Sequence, residues 1–443
     1  MKIEKKYLSS PLTAQIEITD FCNHQCVHCY NLDSKIENRP VRNVSDETVL
    51  ACAQKLIDSG IFSVIVTGGE PLIKKELTKK VIRLFYENNI RVSLNSNLTL
   101  FDDDFIAFLK EMKVGVLTSC PSGTPSSFKR LVGIDNYGRF EKNLKKLLAS
   151  SIHFTVNMVI TKDNLHEIRP TAELMKRIGC SSFAATPMGL NMEYPRLDLL
   201  LSVEDVRHVI SDLLWVEATL NLKVDILEAL PKCVFPENIL MGRSRSFLNR
   251  KCQAGRTVIA VSCNGDVRPC AHNPVSYGNI LEESLTDIWK KMADWRSSQY
   301  IPKECKECTW LHRCNGGCRT SAKTFGGKWD SKEMWATSPI TLLYSKDNEK
   351  KTVELCAGTK LQKNTNYRIR KEEDDAYVVY NIKDDVFFMV NKACRDFIIG
   401  LNGNTVLNYS ELAKEWKTDI NNQSFFDIVL FLVEKGVLNI VKS

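Results

Sequence analysis

The chain has 443 residues, 44% of them apolar and 26% charged, with a net charge of +7. That is enough for two or three domains with a sizeable core. No apolar run is long enough to cross a membrane, and no basic block or aromatic-basic stripe points to nucleic acid. The start, Met-Lys-Ile-Glu-Lys-Lys-Tyr-Leu, lacks the apolar core of a signal peptide, so a cytoplasmic protein is expected. Sixteen cysteines in a reducing compartment point to metal or redox work rather than disulfides.

From Thr13 to about Leu220, short β-rich runs alternate with helical patterns. Strands are expected at 14–18, 64–67, 92–95, 115–119, 154–160 and 183–186, with helices such as 46–59 and 75–87 between them. Gly60 stops the first of these helices, and Asn88 with Asn89 stops the second. Such alternation implies a parallel sheet covered by helices, with chemistry at the C-terminal strand ends.

The loop after the first strand carries Cys22, Cys26 and Cys29 in a Cys-x3-Cys-x2-Cys run. Three thiolates so close can hold three corners of a [4Fe–4S] cluster and leave one iron open to a chelating molecule. A zinc knuckle is the alternative, with His24 or His28 as fourth ligand. Thr67-Gly68-Gly69-Glu70-Pro71 follows the second strand, Asn95-Ser96-Asn97 ends the third, and Ser119 ends the fourth. Taken alone, these read as glycine-proline turns and strand-end caps.

Together the cysteine run and the Gly-Gly-Glu-Pro segment resemble the radical S-adenosylmethionine (SAM) enzymes. The resemblance implies a partial (βα)6 barrel over residues 1–225. It also implies SAM chelated at the open iron and split into methionine and a 5′-deoxyadenosyl radical. By the same resemblance, Gly68, Gly69, Glu70 and Pro71 meet the methionine amino group. Asn95, Ser96, Asn97 and Ser119 lie near the ribose and carboxylate, and the His28 backbone meets the adenine. One position departs from the pattern. Relatives often carry an arginine-glycine pair, where this chain reads Arg130-Leu131-Val132-Gly133. Cys120, at the active-site end of a strand, reads as a small buried residue or a substrate contact.

A second cysteine field follows. Cys252 leads through Gly265 to Pro269-Cys270, and then comes Cys305-x2-Cys308-x5-Cys314-x3-Cys318. This resembles the SPASM extension, which implies two auxiliary [4Fe–4S] clusters within residues 226–360 and three clusters in all. A zinc ribbon is the alternative. The resemblance gives cluster I Cys252, Cys270 and Cys318, with Cys263 or Cys233 as a fourth ligand or an open position. It gives cluster II Cys305, Cys308 and Cys314 with a distal ligand, Cys356 or a carboxylate such as Asp330. Cys52, Cys180 and Cys394 lie in apolar patterns and read as core.

Residues 361–443 form a third module. Strands are expected at 367–370, 376–382 and 386–390, with turns at Asp374-Asp375 and Asp384-Asp385, and helices at 392–401, 410–416 and 424–435. This winged-helix-like order carries 11 Lys/Arg against 12 Asp/Glu, which argues against DNA. Tyr367-Arg368-Ile369-Arg370, Phe387-Phe388-Met389-Val390-Asn391 and Asn402-Gly403-Asn404-Thr405 resemble the PqqD-like peptide-recognition element. That implies capture of a precursor's leader by strand addition. The expected enzyme is a maturase of ribosomally made peptides, working on leader and core with a reductant such as flavodoxin or ferredoxin. A darobactin-type side-chain cross-link is the favoured product. The rivals are a sulfatase-type maturase making formylglycine and a non-enzymatic Fe–S peptide chaperone or electron carrier.

Overall fold

The structure is a computed structural model that describes residues 8–31, 44–242, 245–341, 355–372, 375–381, 386–401 and 405–441. The chain divides into one compact unit, Ser10–Tyr344, and a second from Ser345 onward that also takes in the N-terminal residues to Ser9. The Ser9 N–H donates to the Glu372 carboxylate at 2.6 Å.

The first unit is built on one sheet. Six strands fall where the sequence pattern puts them: β1 (Thr13–Glu17), β2 (Ser63–Thr67), β3 (Arg91–Ser96), β4 (Gly115–Ser119), β5 (Phe154–Ile160) and β6 (Ser182–Pro187). Each pairs in parallel with the next. Helices α1 (Asp46–Asp58), α2 (Lys75–Glu87), α3 (Asp103–Glu111), α4 (Pro125–Val132), α5 (Tyr137–Ala149), α6 (Ile168–Ile178) and α7 (Val203–Leu220) come between and after them. Helix α1 shows the logic. Ser45 Oγ accepts the Thr48 N–H, Asp46 and Glu47 sit in the first turn, and Val49, Cys52, Ala53 and Leu56 are buried one turn apart. Strand β6 is buried along its whole length, as a strand covered on both faces must be.

The sheet is larger than the expected six strands. Strand β7 (Lys223–Asp225) extends it beyond β6, and β8 (Val258–Val261) pairs in parallel with β1 on the other side. Strand β9 (Val267–Arg268) then turns back antiparallel to β8, so the full order is β7-β6-β5-β4-β3-β2-β1-β8-β9. The reason is local. Cys263-Asn264-Gly265 makes the tight turn of a hairpin, with Gly265 at φ +93°, and β1 offers β8 a free edge. The second cysteine field is thereby stitched directly onto the barrel sheet.

The second unit holds two three-stranded sheets. Strands β11 (Tyr367–Lys371), β12 (Ala376–Asn381) and β13 (Val386–Asn391) form an antiparallel meander with β12 in the middle. Strands β10 (Lys360–Lys363), β14 (Val406–Asn408) and β15 (Leu438–Ile440) form the other, with β10 central. Helices α8 (Lys392–Gly400), α9 (Tyr409–Glu415) and α10 (Gln423–Glu434) pack with them. The core combines Val379 and Val390 with Phe397, Leu412, Val429 and Leu432. The meander and helices match the expected order, while the β10-β14-β15 sheet has strands too short to announce themselves. Asp384-Asp385 and Asn402-Gly403-Asn404 lie outside the described residues.

Candidate functional site

The loop carrying Cys22, Cys26 and Cys29 leaves the C-terminal end of β1, and all three thiols are half-buried. Its backbone is pinned on two sides. Gln25 and Val27 N–H groups donate to the carbonyls of Val132 and Leu131, at 2.8 and 3.0 Å. Gly69 and Glu70 N–H groups donate to the carbonyls of Thr19 and Phe21, both at 2.7 Å. Gly68 has φ +141°, and a Cβ there would meet the Thr19 carbonyl oxygen at 2.5 Å. The two glycines thus let one backbone press against another, beneath the place where a ligand is expected.

Glu70 is 1% exposed and organises the end of β3. Its carboxylate accepts the Ser96 hydroxyl at 2.7 Å, the Asn97 N–H at 2.8 Å and the Leu72 N–H at 3.2 Å. Burial pushes its acid up to about 7, against the pull of those hydrogen bonds. Asn97 Nδ2 donates to Asn23 Oδ1 at 2.8 Å, which ties β3 to the cysteine loop. Pro71 is buried at the start of a 3₁₀ turn. Asn95 is next to last in β3 and Ser119 ends β4, where it pairs with Asn157, midway along β5; Thr186 is next to last in β6. Thr186 Oγ1 donates to Asn157 Oδ1 at 2.7 Å. His28 is half-buried between Cys26 and Cys29.

Val132 is 1% exposed, and its carbonyl holds the cysteine loop. Arg130 turns to Asp163 with an N–O separation of 3.3 Å. Cys120 is fully buried, and burial pushes its thiol up to about 12, so it is a core residue. Cys52, Cys180 and Cys394 are buried as expected.

Cys252, Cys270 and Cys318 come together beyond β9. Burial pushes the Cys270 thiol up to about 12, with Cys252 adding to it. Cys318 is driven up by burial and then by Glu228, Cys252 and Cys270. The acidic group beside the three sulfurs is therefore Glu228, a residue with no signal in the sequence. Cys263 lies elsewhere, its thiol directed at Asp20 Oδ1 at 3.5 Å. A chain of side chains joins this field to the first loop. Glu228 lies 3.8 Å from His272 Nδ1, and His272 packs on the Tyr30 ring at 4.7 Å. Burial, Glu17 and Cys29 raise the Tyr30 phenol, and a buried Glu17–Arg268 ion pair lies beside it.

Cys305, Cys308 and Cys314 line a pocket of their own. Cys233 lines it with them, whereas Asp330 does not. Cys356 falls in the second unit, exposed, its thiol 3.3 Å from Thr359 Oγ1.

These donor sets are thiols, the ligand chemistry that a [4Fe–4S] cluster takes. Among the described residues, no three His, Cys, Asp or Glu side chains converge closely enough to hold a single metal ion. A cubane cluster asks for a wider spacing, with one thiolate at each iron corner. Among the described residues no helix is long and apolar enough to cross a membrane.

The radical SAM superfamily profile matches residues 16–175, and that of an iron–sulfur cluster-binding domain, SPASM, matches 252–309. The chain is 25% identical to the AdoMet-dependent heme synthase of Nitratidesulfovibrio vulgaris, over 72% of this chain and 89% of that protein. It is 28% identical to the antilisterial bacteriocin subtilosin biosynthesis protein AlbA of Bacillus subtilis, over 70% of this chain and 67% of that protein. It is 25% identical to the cysteine-type anaerobic sulfatase-maturating enzyme of Clostridium perfringens, over 67% and 86%. Streptococcus suis SuiB bound to precursor peptide SuiA shares the fold, with TM-score 0.60 and 20% identity over 74% and 76%. The protein is an enzyme with a radical SAM domain over residues 16–175. Its cofactors are S-adenosylmethionine and [4Fe–4S] clusters.

Proposed function

We propose that the protein is a maturase of ribosomally made peptides that forms a side-chain cross-link in the core of its precursor. Bound at the Cys22, Cys26 and Cys29 loop, the cluster and SAM supply the 5′-deoxyadenosyl radical that abstracts a hydrogen atom. The chain's own residues do the rest. Gly68, Gly69, Glu70 and Pro71, with Asn95, Ser96, Asn97, Ser119 and the His28 backbone, bind and orient SAM. Cys252, Cys270 and Cys318 hold one auxiliary cluster, while Cys305, Cys308 and Cys314 belong to a second. The strand ends of the parallel sheet present one C–H bond and exclude water.

The observation that carries this reading is the second unit. In its meander β13 is an edge strand, with Val386 50% and Phe387 37% exposed. Phe388 packs edge-on against Phe431 of α10 at 5.4 Å, so strand and helix form adjoining walls. An edge strand beside an apolar helix suits a leader that adds as a further strand, in the manner of a PqqD-like element. Of the apolar residues at helical spacing on α10, Phe425, Val429 and Leu432 are core, and Ile428 is half-buried. Leader capture raises the local concentration of the core peptide. The similarity to the subtilosin biosynthesis protein AlbA supports peptide work. The sulfatase-maturating relative supports the rival reading, formylglycine formation, to the same degree.

The reading frames beside the gene are searched for a short precursor peptide, and that peptide, labelled and titrated onto the full-length protein, tests the proposal. Saturable binding to wild type, weakened by Phe388→Pro, is expected. Equal binding by both proteins would remove the leader site.

A further inference from the structure

We infer that Cys233 is the fourth thiolate ligand of the second auxiliary [4Fe–4S] cluster, completing the set Cys305, Cys308 and Cys314. The inference rests on the cluster-bearing reading of this region and assigns a ligand that the spacing of the cysteine run does not contain. Cys233 sits far upstream, even ahead of Cys252, in a short 3₁₀ turn, Lys232–Val234.

The fold brings that turn to the pocket. Cys233, Cys305, Cys308 and Cys314 all line it, within the single unit Ser10–Tyr344. Both Cys305 and Cys314 lie close enough to feel the Cys233 sulfur electrostatically. Three main-chain N–H groups point at three of the four sulfurs. Thr337 donates to Cys233 Sγ at 3.2 Å, Ile340 to Cys308 Sγ at 3.3 Å, and Lys232 to Cys314 Sγ at 3.3 Å. Amide donors aimed at sulfur suit thiolates on a cluster, where they stabilise negative charge and set its potential. A cysteine that merely fills core has no use for one.

The donors also tie the parts together. Thr337 Oγ1 donates to the Cys233 carbonyl at 2.7 Å, and Thr309 N–H donates to the Ile340 carbonyl at 3.0 Å. One wall of the pocket, 337–340, is thus hydrogen-bonded to the Cys233 turn and to the cysteine run. Lys232 places a buried amine on the same turn, held by the carbonyls of Phe247 at 3.1 Å and Arg250 at 2.7 Å. A buried cation is costly alone and is offset by a net negative cluster.

The other candidates are placed less well. Asp330 does not line the pocket. Glu333 is buried, but one carboxylate oxygen is taken by the Trp335 N–H at 2.8 Å, and it does not line the pocket either. Ligation by Cys233 releases one proton to solvent and moves no electron. A cluster with four protein thiolates has no open iron, which leaves it electron transfer or structure rather than substrate binding.

The test uses full-length protein in a Cys22→Ala/Cys26→Ala/Cys29→Ala background, where the auxiliary sites are the iron carriers. Anaerobic reconstitution should give about eight irons per chain. Adding Cys233→Ala should lower this to about four, or leave a [3Fe–4S] signal in the oxidised EPR spectrum. Adding Cys356→Ala should change neither iron nor spectrum. Cys233→Ser, with an oxygen able to ligate iron and almost the same volume, should retain the cluster with a shifted EPR signal and unchanged circular dichroism. That variant keeps the test valid if the alanine form misfolds. Full iron and an unaltered spectrum in both Cys233 variants, while Cys305→Ala loses a cluster, would overturn the assignment and leave the function standing. Full iron in Cys305→Ala as well would overturn the second auxiliary cluster itself.

Discussion

A Cβ on Gly69 would come to 2.0 Å from the Phe21 carbonyl oxygen, one residue before Cys22. The contact is with backbone, so no side chain can move aside to relieve it. The Gly-Gly-Glu-Pro segment thereby sets the path of the cluster loop as well as the neighbourhood of SAM.

Gly69→Ala should consequently displace the loop. We expect a stability loss of about 1–3 kcal/mol from overpacking and about four fewer irons per chain after reconstitution. Urea unfolding and iron analysis read the two effects. An alanine variant with full iron and wild-type stability would contradict the role given to this glycine.

Replacing Cys22, Cys26 and Cys29 together by Ala should abolish 5′-deoxyadenosine formation, because the open iron exists only at that site. About eight of roughly twelve irons should remain. Chromatographic detection of 5′-deoxyadenosine from reduced protein and SAM decides this. Undiminished cleavage in the triple variant refutes the mechanism, and zinc in place of the remaining iron would favour a ribbon.

Glu333 gives a pH signature. Burial raises its acid from the ordinary 4.5 to about 8. The folded state therefore holds the proton more tightly than the unfolded state. The associated stability is fully present below 4.5 and is lost as pH rises through about 8. Glu333→Gln cannot ionise and should lack this slope. The wild-type urea midpoint relative to the variant's should fall across that window and then level off. A difference that stays flat, or rises with pH, would show the carboxyl is not buried as described.

Val386 and Phe387 are exposed on the β13 edge, so Val386→Asp/Phe387→Asp should cost little stability. The same change should weaken leader binding about tenfold or more, since apolar contact is replaced by charge beside the new strand. Fluorescence anisotropy of a labelled leader reads this. Circular dichroism and peptide-independent SAM cleavage should match wild type. Unchanged affinity would place the leader elsewhere.

Much of this architecture is legible in the chain because local chemistry and global fold agree. Ser45, Gly60 and Asn88 stop and start helices where the apolar periodicity does, and six strands appear at their expected places. The C-terminal meander and helices read equally well. What the sequence hides is long-range. Strand β8 is short and gives no sign that it will pair with β1. Cys233 is visible as a candidate ligand of the first auxiliary cluster, but its place beside Cys305, Cys308 and Cys314 is not, and Glu228, His272 and Tyr30 belong to no spacing rule, because the elements that carry them meet only in the fold. The glycines of the second-strand turn are visible as glycines, but their partner, the backbone at Thr19–Phe21, is not.

The central claim is tested most directly by turnover. Reduced holoenzyme is incubated with SAM and the precursor peptide found by searching the reading frames beside its gene, and the peptide is analysed by tandem mass spectrometry. The account predicts one 5′-deoxyadenosine per modification and a product lighter by two hydrogens per cross-link, with the Val386→Asp/Phe387→Asp variant making far less. A product that instead carries an aldehyde at a cysteine or serine, formed equally by wild type and the edge variant, would contradict it.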